Sequence, residues 1–409
     1  MPSLLQQQGY HFGQCLVIER RGFFRSDRHC HCIVIAMCNT KKTAKSGVKV
    51  LNFKKAPAAI GGLALSNVGM ALMVNSVSRG QFDSTSMAML GVVYSFISLG
   101  FAMVLLYFIR LASDPVAYFH SDFSSPSNIS TVGTIAMAIC LMGRAIQIVD
   151  FPANVCASIV YFGAFIQATN MIPFFVSCWK TSTWPEPFWN NAVHSSLLTS
   201  VCLRGDDNIA VACRAISLTY GLTLLIPIFS IMTVRTLFWN GKDQQVVANN
   251  PGVVMIQSCC SITCSGWLIS PLTESASSGI GGIIGHVLFA LSTFGFCCAM
   301  YGAFQRRVVL LNFGEHPSWV AITFPFTNSA LAAGQYLKTH PNHSYVLFVW
   351  TLMISTIAAI CVLGVNLLYF INWFYLFSEE ELEASTTQED DTVAAKSGTP
   401  SMDSLFGTI

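Results

Sequence analysis

Residues 57–376 carry only 11 Lys or Arg and 10 Asp or Glu. A soluble domain carries about 25% charged residues, so a water-facing surface around so long a segment would need several times the charge present. A bundle of membrane helices has the opposite requirement, because a charge at the bilayer centre costs about 2.5–3.5 kcal/mol even on insertion scales. The composition agrees: the 409 residues are 53% hydrophobic and 10% charged, with a mean hydropathy of +0.55. The remaining charges are segregated. Residues 1–56 hold ten basic and two acidic residues, and residues 377–409 hold eight acidic residues and one Lys. The chain therefore divides into a basic, largely disordered arm over 1–55, a membrane domain over 56–376, and an acidic tail over 377–409 whose charge run cannot bury a core.

Taking about 20 apolar residues as one crossing, the hydropathy pattern predicts an all-α bundle of ten transmembrane helices: 57–74, 86–108, 130–149, 155–178, 188–203, 209–234, 251–270, 279–301, 318–337 and 345–376. Polar turns separate them, as at 75–83, at Asp114-Pro115 and at 121–128, and a Trp-Pro-Glu-Pro break precedes the fifth. The fifth is the least apolar, with Asn190, Asn191 and His194 in its first half. Trp179, Trp189, Trp239, Trp319 and Trp373 fall at span ends, where indole rings sit well among headgroups.

With the arm in the cytosol, the inner loops add Arg110, Lys180, Arg235, Lys242, Arg306 and Arg307, against Arg79, Arg204 and Lys338 outside, in accord with the positive-inside rule. An even number of crossings then returns the tail to the cytosol. Asn342-His343-Ser344 becomes an outward glycosylation sequon, and Asn128-Ile129-Ser130 an inward one that stays bare. The first 50 residues lack the apolar h-region and cleavage site of a signal peptide; a cytosolic arm and a transit peptide both stay open. The plasma membrane is the expected location, with an organelle membrane as the alternative.

Fifteen cysteines would suggest a disulfide framework in a small secreted chain. Here Cys140, Cys156, Cys259, Cys260, Cys264, Cys297, Cys298 and Cys361 fall inside apolar runs and read as small membrane-core side chains. His29-Cys30-His31-Cys32, with Cys38 beyond, has the composition of a metal cluster, but ligands at i and i+2 do not match zinc-site spacing and no second Cys/His pair follows at a suitable distance. No metal, cofactor or nucleic-acid partner is expected.

A chain with ten crossings and almost no soluble domain acts within the bilayer. Intramembrane hydrolases need a nucleophile with a base, or paired acids, and desaturase-like enzymes need clustered His. Neither pattern occurs, nor does a Walker-type loop, so neither an enzyme nor an ATP-driven pump is expected. His194 and His286 are the only histidines within predicted spans, on different helices, and read as packed or polar-cavity residues. The odd spans are the more polar ones: Ser66 and Asn67 on the first, Thr131, Thr134 and Arg144 on the third, Asn190 to Ser196 on the fifth, Gln257 to Ser265 on the seventh, and Thr323, Thr327, Asn328 and Ser329 on the ninth. Such groups either line an axial, partly wet path or hydrogen-bond between helices. The candidate lining residues are Asn67, Thr134, Arg144, His194, Thr323 and Asn328. Gly62, Ser66 and Gly69, and Gly281 with Gly285, mark tight helix packing.

Three segments resemble the tellurite-resistance/dicarboxylate transporter (TDT) family, which includes bacterial TehA, the yeast malate permease, fungal sulfite exporters and plant slow anion channels. Residues 57–69, Pro-Ala-Ala-Ile-Gly-Gly-Leu-Ala-Leu-Ser-Asn-Val-Gly, are similar to its opening helix; Asp114-Pro115 to Asp122-Phe123 resembles its second inner-loop pattern; and 319–332, Trp-Val-Ala-Ile-Thr-Phe-Pro-Phe-Thr-Asn-Ser-Ala-Leu-Ala, is similar to its ninth-helix Thr-Phe-Pro signature. With the rhythm of the spans, the resemblance covers roughly residues 55–376. It implies five helical hairpins with odd helices around a central pore, a homotrimer with a pore in each subunit, and an anion path closed by a phenylalanine at the position of Phe324. The 185–191 segment, Pro-Glu-Pro-Phe-Trp-Asn-Asn, departs from the family's fifth-helix entry.

The physics of that position fits a gate. Pro325 removes a backbone donor and kinks the helix, which turns the preceding ring toward an axis. A phenyl ring across a narrow pore blocks by sterics and dewetting. Phe326, about 200° further around, faces elsewhere. The expected function is transport of small anions, a C4-dicarboxylate such as malate or chloride, nitrate or sulfite. A proton-coupled dicarboxylate carrier is the alternative, with His194, His286 and Asp150 as its few proton sites; a non-transporting receptor or scaffold is a third. Arg144 and Arg214 are the cations placed to raise the potential along a path, and each could equally pair with a headgroup or with Asp150.

Overall fold

The computed structural model describes residues 59–81, 87–182, 185–204, 207–238, 251–269, 280–307, 310, 319–340 and 345–376, leaving out the side chains of 78–81, 192, 194, 251 and 371–376. Among the described residues there is no strand. The helices are α1 (Ile60–Gln81), α2 (Met87–Ser113), α3 (Pro115–Asp122), α4 (Pro126–Ile148), α5 (Ala153–Thr181), α6 (Trp189–Val193), α7 (Leu197–Cys202), α8 (Asn208–Leu237), α9 (Ile256–Ile269), α10 (Ile280–Gln305), α11 (Val320–Thr339) and α12 (Tyr345–Leu376). A 3-10 turn at His194–Ser196 joins α6 to α7, and another at Pro251–Met255 leads into α9.

Seven of these, and α9 together with the 3-10 turn before it, make eight segments long and apolar enough to cross a bilayer, which makes this a multi-pass membrane protein, all-α among the described residues. The fifth and ninth predicted spans fall outside the eight. The fifth is broken into α6, the 3-10 turn and α7, and α11 carries Thr323, Thr327, Asn328 and Ser329 among its buried residues.

Local capping explains where several boundaries differ from the sequence pattern. The turn expected at 75–83 is helical as far as Gln81. The loop expected after Asp114-Pro115 is helix α3: the Asp114 carboxylate accepts the Ala117 N–H at 3.1 Å, and Pro115 occupies the first helical position, where it has no N–H to lose. Ser125 caps α4 four residues earlier than expected, its hydroxyl accepting from Asn128 N. At the far end of α4, Phe151 N–H donates to Ile146 and Asp150 N–H to Gln147, with Asp150 at φ 62°, a Schellman ending in which Asp tolerates the left-handed conformation.

The helices pack as a ring with an outer layer. In the ring α1 lies on α4, α4 on α6 and α7, α7 on α9, α9 on α11, and α11 back on α1. Each ring member also packs on the long helix that follows it, giving the pairs α1–α2, α4–α5, α7–α8, α9–α10 and α11–α12. Over their apolar windows α1, α4 and the α9 segment are 78–83% buried, whereas α2, α5, α8, α10 and α12 are 28–39% buried. The outer helices turn large apolar side chains outward, among them Phe101, Phe165, Ile226, Phe294 and Leu363, as a lipid-facing layer must.

Small residues allow the closest approaches. A Cβ on Gly62 would lie 2.5 Å from Cγ1 of Val320, and one on Gly69 would lie 2.9 Å from Cγ2 of Thr327, so α1 and α11 meet almost backbone to side chain. The first and last hairpins are tied by a reciprocal amide pair, Asn67 donating to Asn366 at 3.1 Å and Asn366 to Asn67 at 2.9 Å. Cys140, Cys156, Cys259, Cys260, Cys264 and Cys298 are buried thiols, Cys361 is half-buried, and Cys297 is instead exposed on the outer face of α10. The His29–Cys32 cluster, the Asn342 sequon, the arm and the tail lie outside the described residues.

Candidate functional site

Phe324 lies in a large buried cluster that draws on every ring segment, with Leu65 from α1, Leu141 from α4, Leu198 from α7, Ile262 from α9 and Phe324 itself from α11, and on the outer helices α2, α5, α8 and α12 as well. Phe326 belongs to a different cluster and meets Phe296 of α10 edge-on, ring centroids 5.8 Å apart. Two residues apart on a helix is about 200°, which sends the two rings to opposite sides of α11. Pro325 lies within α11 and cannot donate to the carbonyl four residues back.

The polar residues beside Phe324 mostly hold helices together. The Thr323 hydroxyl touches that of Ser66 and lies 2.7 Å from the Val320 carbonyl. Asn328 donates to Ser261 at 2.8 Å, and Ser329 to Gln257 at 3.2 Å, joining α11 to α9. Asn190 donates to the Met255 carbonyl and anchors α6 to the start of α9. Each bond satisfies a polar atom that would otherwise be buried at a cost of about 1–3 kcal/mol.

At one end of the ring a cavity of about 220 Å³ is bounded by all five ring segments. Leu72, Asn75 and Ser76 come from α1; Arg144, Gln147 and Ile148 from α4; Val201 and Arg204 from α7 and just beyond it; Ile269 from α9; and Leu331, Gln335 and Lys338 from α11. Asp150, in the turn after α4, completes the wall. Leu72, Ile148, Val201, Ile269 and Leu331 supply apolar lining, three cations face one carboxylate, and the side-chain amides of Gln147 and Gln335 add donors. The ring helices present their C-terminal halves here, and cations at a helix C-terminus offset its partial negative charge of about half a unit. Gln335 also donates to Ser76 at 2.7 Å, linking α11 to α1 across the rim.

The residues singled out in the sequence are thus scattered by role. Arg144 reaches the cavity and contacts Gln147. Asn67 is fully buried in its pair with Asn366, Thr323 and Asn328 are engaged as described, and Thr134 faces Gly61 of α1 while donating to the Thr131 carbonyl at 2.6 Å. His194 opens the 3-10 turn in the broken fifth segment, and its side chain lies outside the described residues. Arg214, fully buried on α8, donates to the Leu203 carbonyl at 3.4 Å and so caps the end of α7. His286 of α10 meets Tyr336 of α11 and His340 just past its end, and is not among the residues lining the cavity. Asp150 sits in an exposed turn at the cavity rim rather than within a helix.

Arg204, Lys338, Gln147 and Gln335 belong to the cavity but not to the sequence-based candidates. Arg204 and Lys338 were legible only as cations of two separate outer loops; that they share one wall follows from the ring. No protein-family model matches the sequence, and no curated protein matches it either.

Proposed function

We propose that the protein conducts small anions across the membrane along the axis of the helix ring, through a path entered at the cationic cavity and closed by Phe324. The observation that carries this proposal is the gathering of Arg144, Arg204 and Lys338, against the single carboxylate of Asp150, around one cavity at the shared end of all five ring segments, an excess of cationic side chains that an anion can meet there. Leu65, Leu141, Leu198, Ile262 and Phe324, one from each ring segment, belong to the same buried apolar cluster, and an apolar constriction among them would block ions by dewetting. The resemblance of 57–69, 114–123 and 319–332 to the TDT family supports the same function. So does an arrangement in which the fifth and ninth segments also cross, giving ten crossings as five hairpins with the odd members inside. On that topology both termini are cytosolic, the cavity opens outward, the plasma membrane is the expected location, and assembly follows the family's trimers.

Energetics favour a passive route. An anion exchanges about 2.3 kcal/mol per charge across 100 mV, so an open pore in a negative-inside cell releases malate or chloride without coupling. Voltage-clamped cells expressing wild type and Phe324→Ala, compared in chloride and malate at neutral and mildly acidic pH, test the proposal. A small wild-type current that grows at least tenfold in the variant, with a reversal potential following the anion gradient and not pH, is the expected result. An unchanged current with malate flux that rises with proton supply would replace the gated pore with a coupled carrier. Purified protein silent in liposomes in both forms would leave the receptor or scaffold.

A further inference from the structure

We propose that α3 is a membrane-surface helix that seats Val116 and Phe119 in the interfacial layer of the leaflet opposite the cationic cavity. The proposal rests on the multi-pass membrane fold alone and is independent of transport.

Position comes first. At 1.5 Å per residue, the 27 residues of α2 span about 40 Å, beyond the roughly 30 Å of a hydrocarbon core. The end of α2, and α3 directly after it, therefore reach headgroup depth. Helix α4 starts at this same end and finishes at the cavity wall, which puts α3 on the other side of the membrane from the cavity.

Orientation is fixed by a buried pin. The Arg110 guanidinium holds both Asp122 oxygens at 2.8 Å and lies 4.2 Å from the centre of the Tyr118 ring. With Tyr118 and Asp122 turned toward Arg110, Val116 and Phe119 remain 80% and 60% exposed, as the rest of the helix surface, Ala117, His120 and Ser121, also is. Phe119 stacks on Phe123, ring centroids 4.5 Å apart. Residues 116, 119 and 123 share one helix face, and Phe123 in turn packs on a cluster that includes Ile129 at the start of α4 and Phe174 of α5.

The occupant of that face is lipid. The exposed stripe of α2 runs through Phe101, Leu105 and Ile109 toward α3, so the aromatic face continues a surface that already meets acyl chains. Aromatic side chains at the junction of chain and headgroup are favoured there. Because Asp122 cannot leave Arg110 cheaply, α3 cannot roll to hide Phe119.

The test places a photoreactive benzophenone in the full-length protein, Phe119→p-benzoylphenylalanine, in phosphatidylcholine/phosphatidylglycerol vesicles. Irradiation followed by mass spectrometry of the peptide is expected to show a lipid adduct at least fivefold more abundant than from the same probe at Ser121, on the opposite face. Val116→p-benzoylphenylalanine gives the same result and stands in if position 119 disturbs folding. Equal lipid adducts from 119 and 121, adducts to a second chain, or no lipid adduct from either 116 or 119 would overturn the proposal.

Discussion

Replacing Asp122 by Asn takes the counter-charge and one of the two acceptors from Arg110 while leaving the guanidinium where it is. In the native protein two Arg110 nitrogens each donate to a separate Asp122 oxygen at 2.8 Å, and Tyr107 adds its hydroxyl to one of them at 3.3 Å. Both members of the pair are buried, so water cannot take over. Asparagine offers one acceptor and turns two donors toward a group that has none to accept. Removing one partner of a buried pair costs about 3–5 kcal/mol; at about 1.4 kcal/mol per tenfold, that lowers the folded-to-unfolded ratio by at least about a hundredfold. Arg110→Met strands the carboxylate in the same way. The combined Arg110→Met/Asp122→Leu variant removes both charges, and since desolvation of a buried pair offsets most of its attraction, stability should return to wild type or exceed it. The assay is the fraction of monodisperse protein left in detergent after graded heating, read by fluorescence-detected size exclusion. Equal losses in both single variants and the double variant would refute the reasoning, because an unpaired buried charge would then not be the source of the cost.

Gly62→Ala puts a methyl 2.5 Å from Val320 and should cost about 1–3 kcal/mol by overpacking; a melting point equal to wild type would mean α1 and α11 are not held as closely as this. Asn67→Leu leaves the Asn366 amide facing an alkyl group and should cost about 1–3 kcal/mol, with Asn67→Leu/Asn366→Leu recovering most of it in the same thermal assay; no recovery argues against a paired clasp. Glu186, in the segment before α6, has its carboxyl raised above the ordinary 4.5 by burial, with Arg235 pulling the other way. The native state then holds this proton more tightly than the unfolded chain, so stability declines as pH rises from the ordinary value through the raised one. Glu186→Gln should flatten that part of the stability curve, and a curve of unchanged slope would remove Glu186 as its source.

The membrane class of the protein was legible in the sequence because it depends on composition alone: no arrangement of residues 57–376 can solvate a surface with so few charges. Each predicted span contains helix, since 20 apolar residues in lipid must bond their own backbone. Short-range chemistry was harder to read. Asp114-Pro115 looks like a turn in the sequence, yet the same two residues are a cap and a first helical position, and the Arg110–Asp122 pair ties the end of the helix that follows to α2. The break between α6 and α7 was foreshadowed by Asn190, Asn191 and His194 but not its form.

For the candidate site, the family resemblance pointed to Phe324 beside Pro325, and sequence pattern to the polar bias of the odd segments. It could not separate polar groups that bond between helices, such as Asn67 with Asn366 and Asn328 with Ser261, from those that reach a cavity, because both avoid lipid equally. Arg144, Arg204 and Lys338 lie 60 and 134 residues apart along the chain. What joins them is closure of the ring, set by the approach of α1 to α11 at Gly62 and Gly69 and by the packing of α7 on α9. Hydrophobicity acts residue by residue and is written in the sequence; convergence of distant helix ends depends on packing between surfaces and exists only in the tertiary structure.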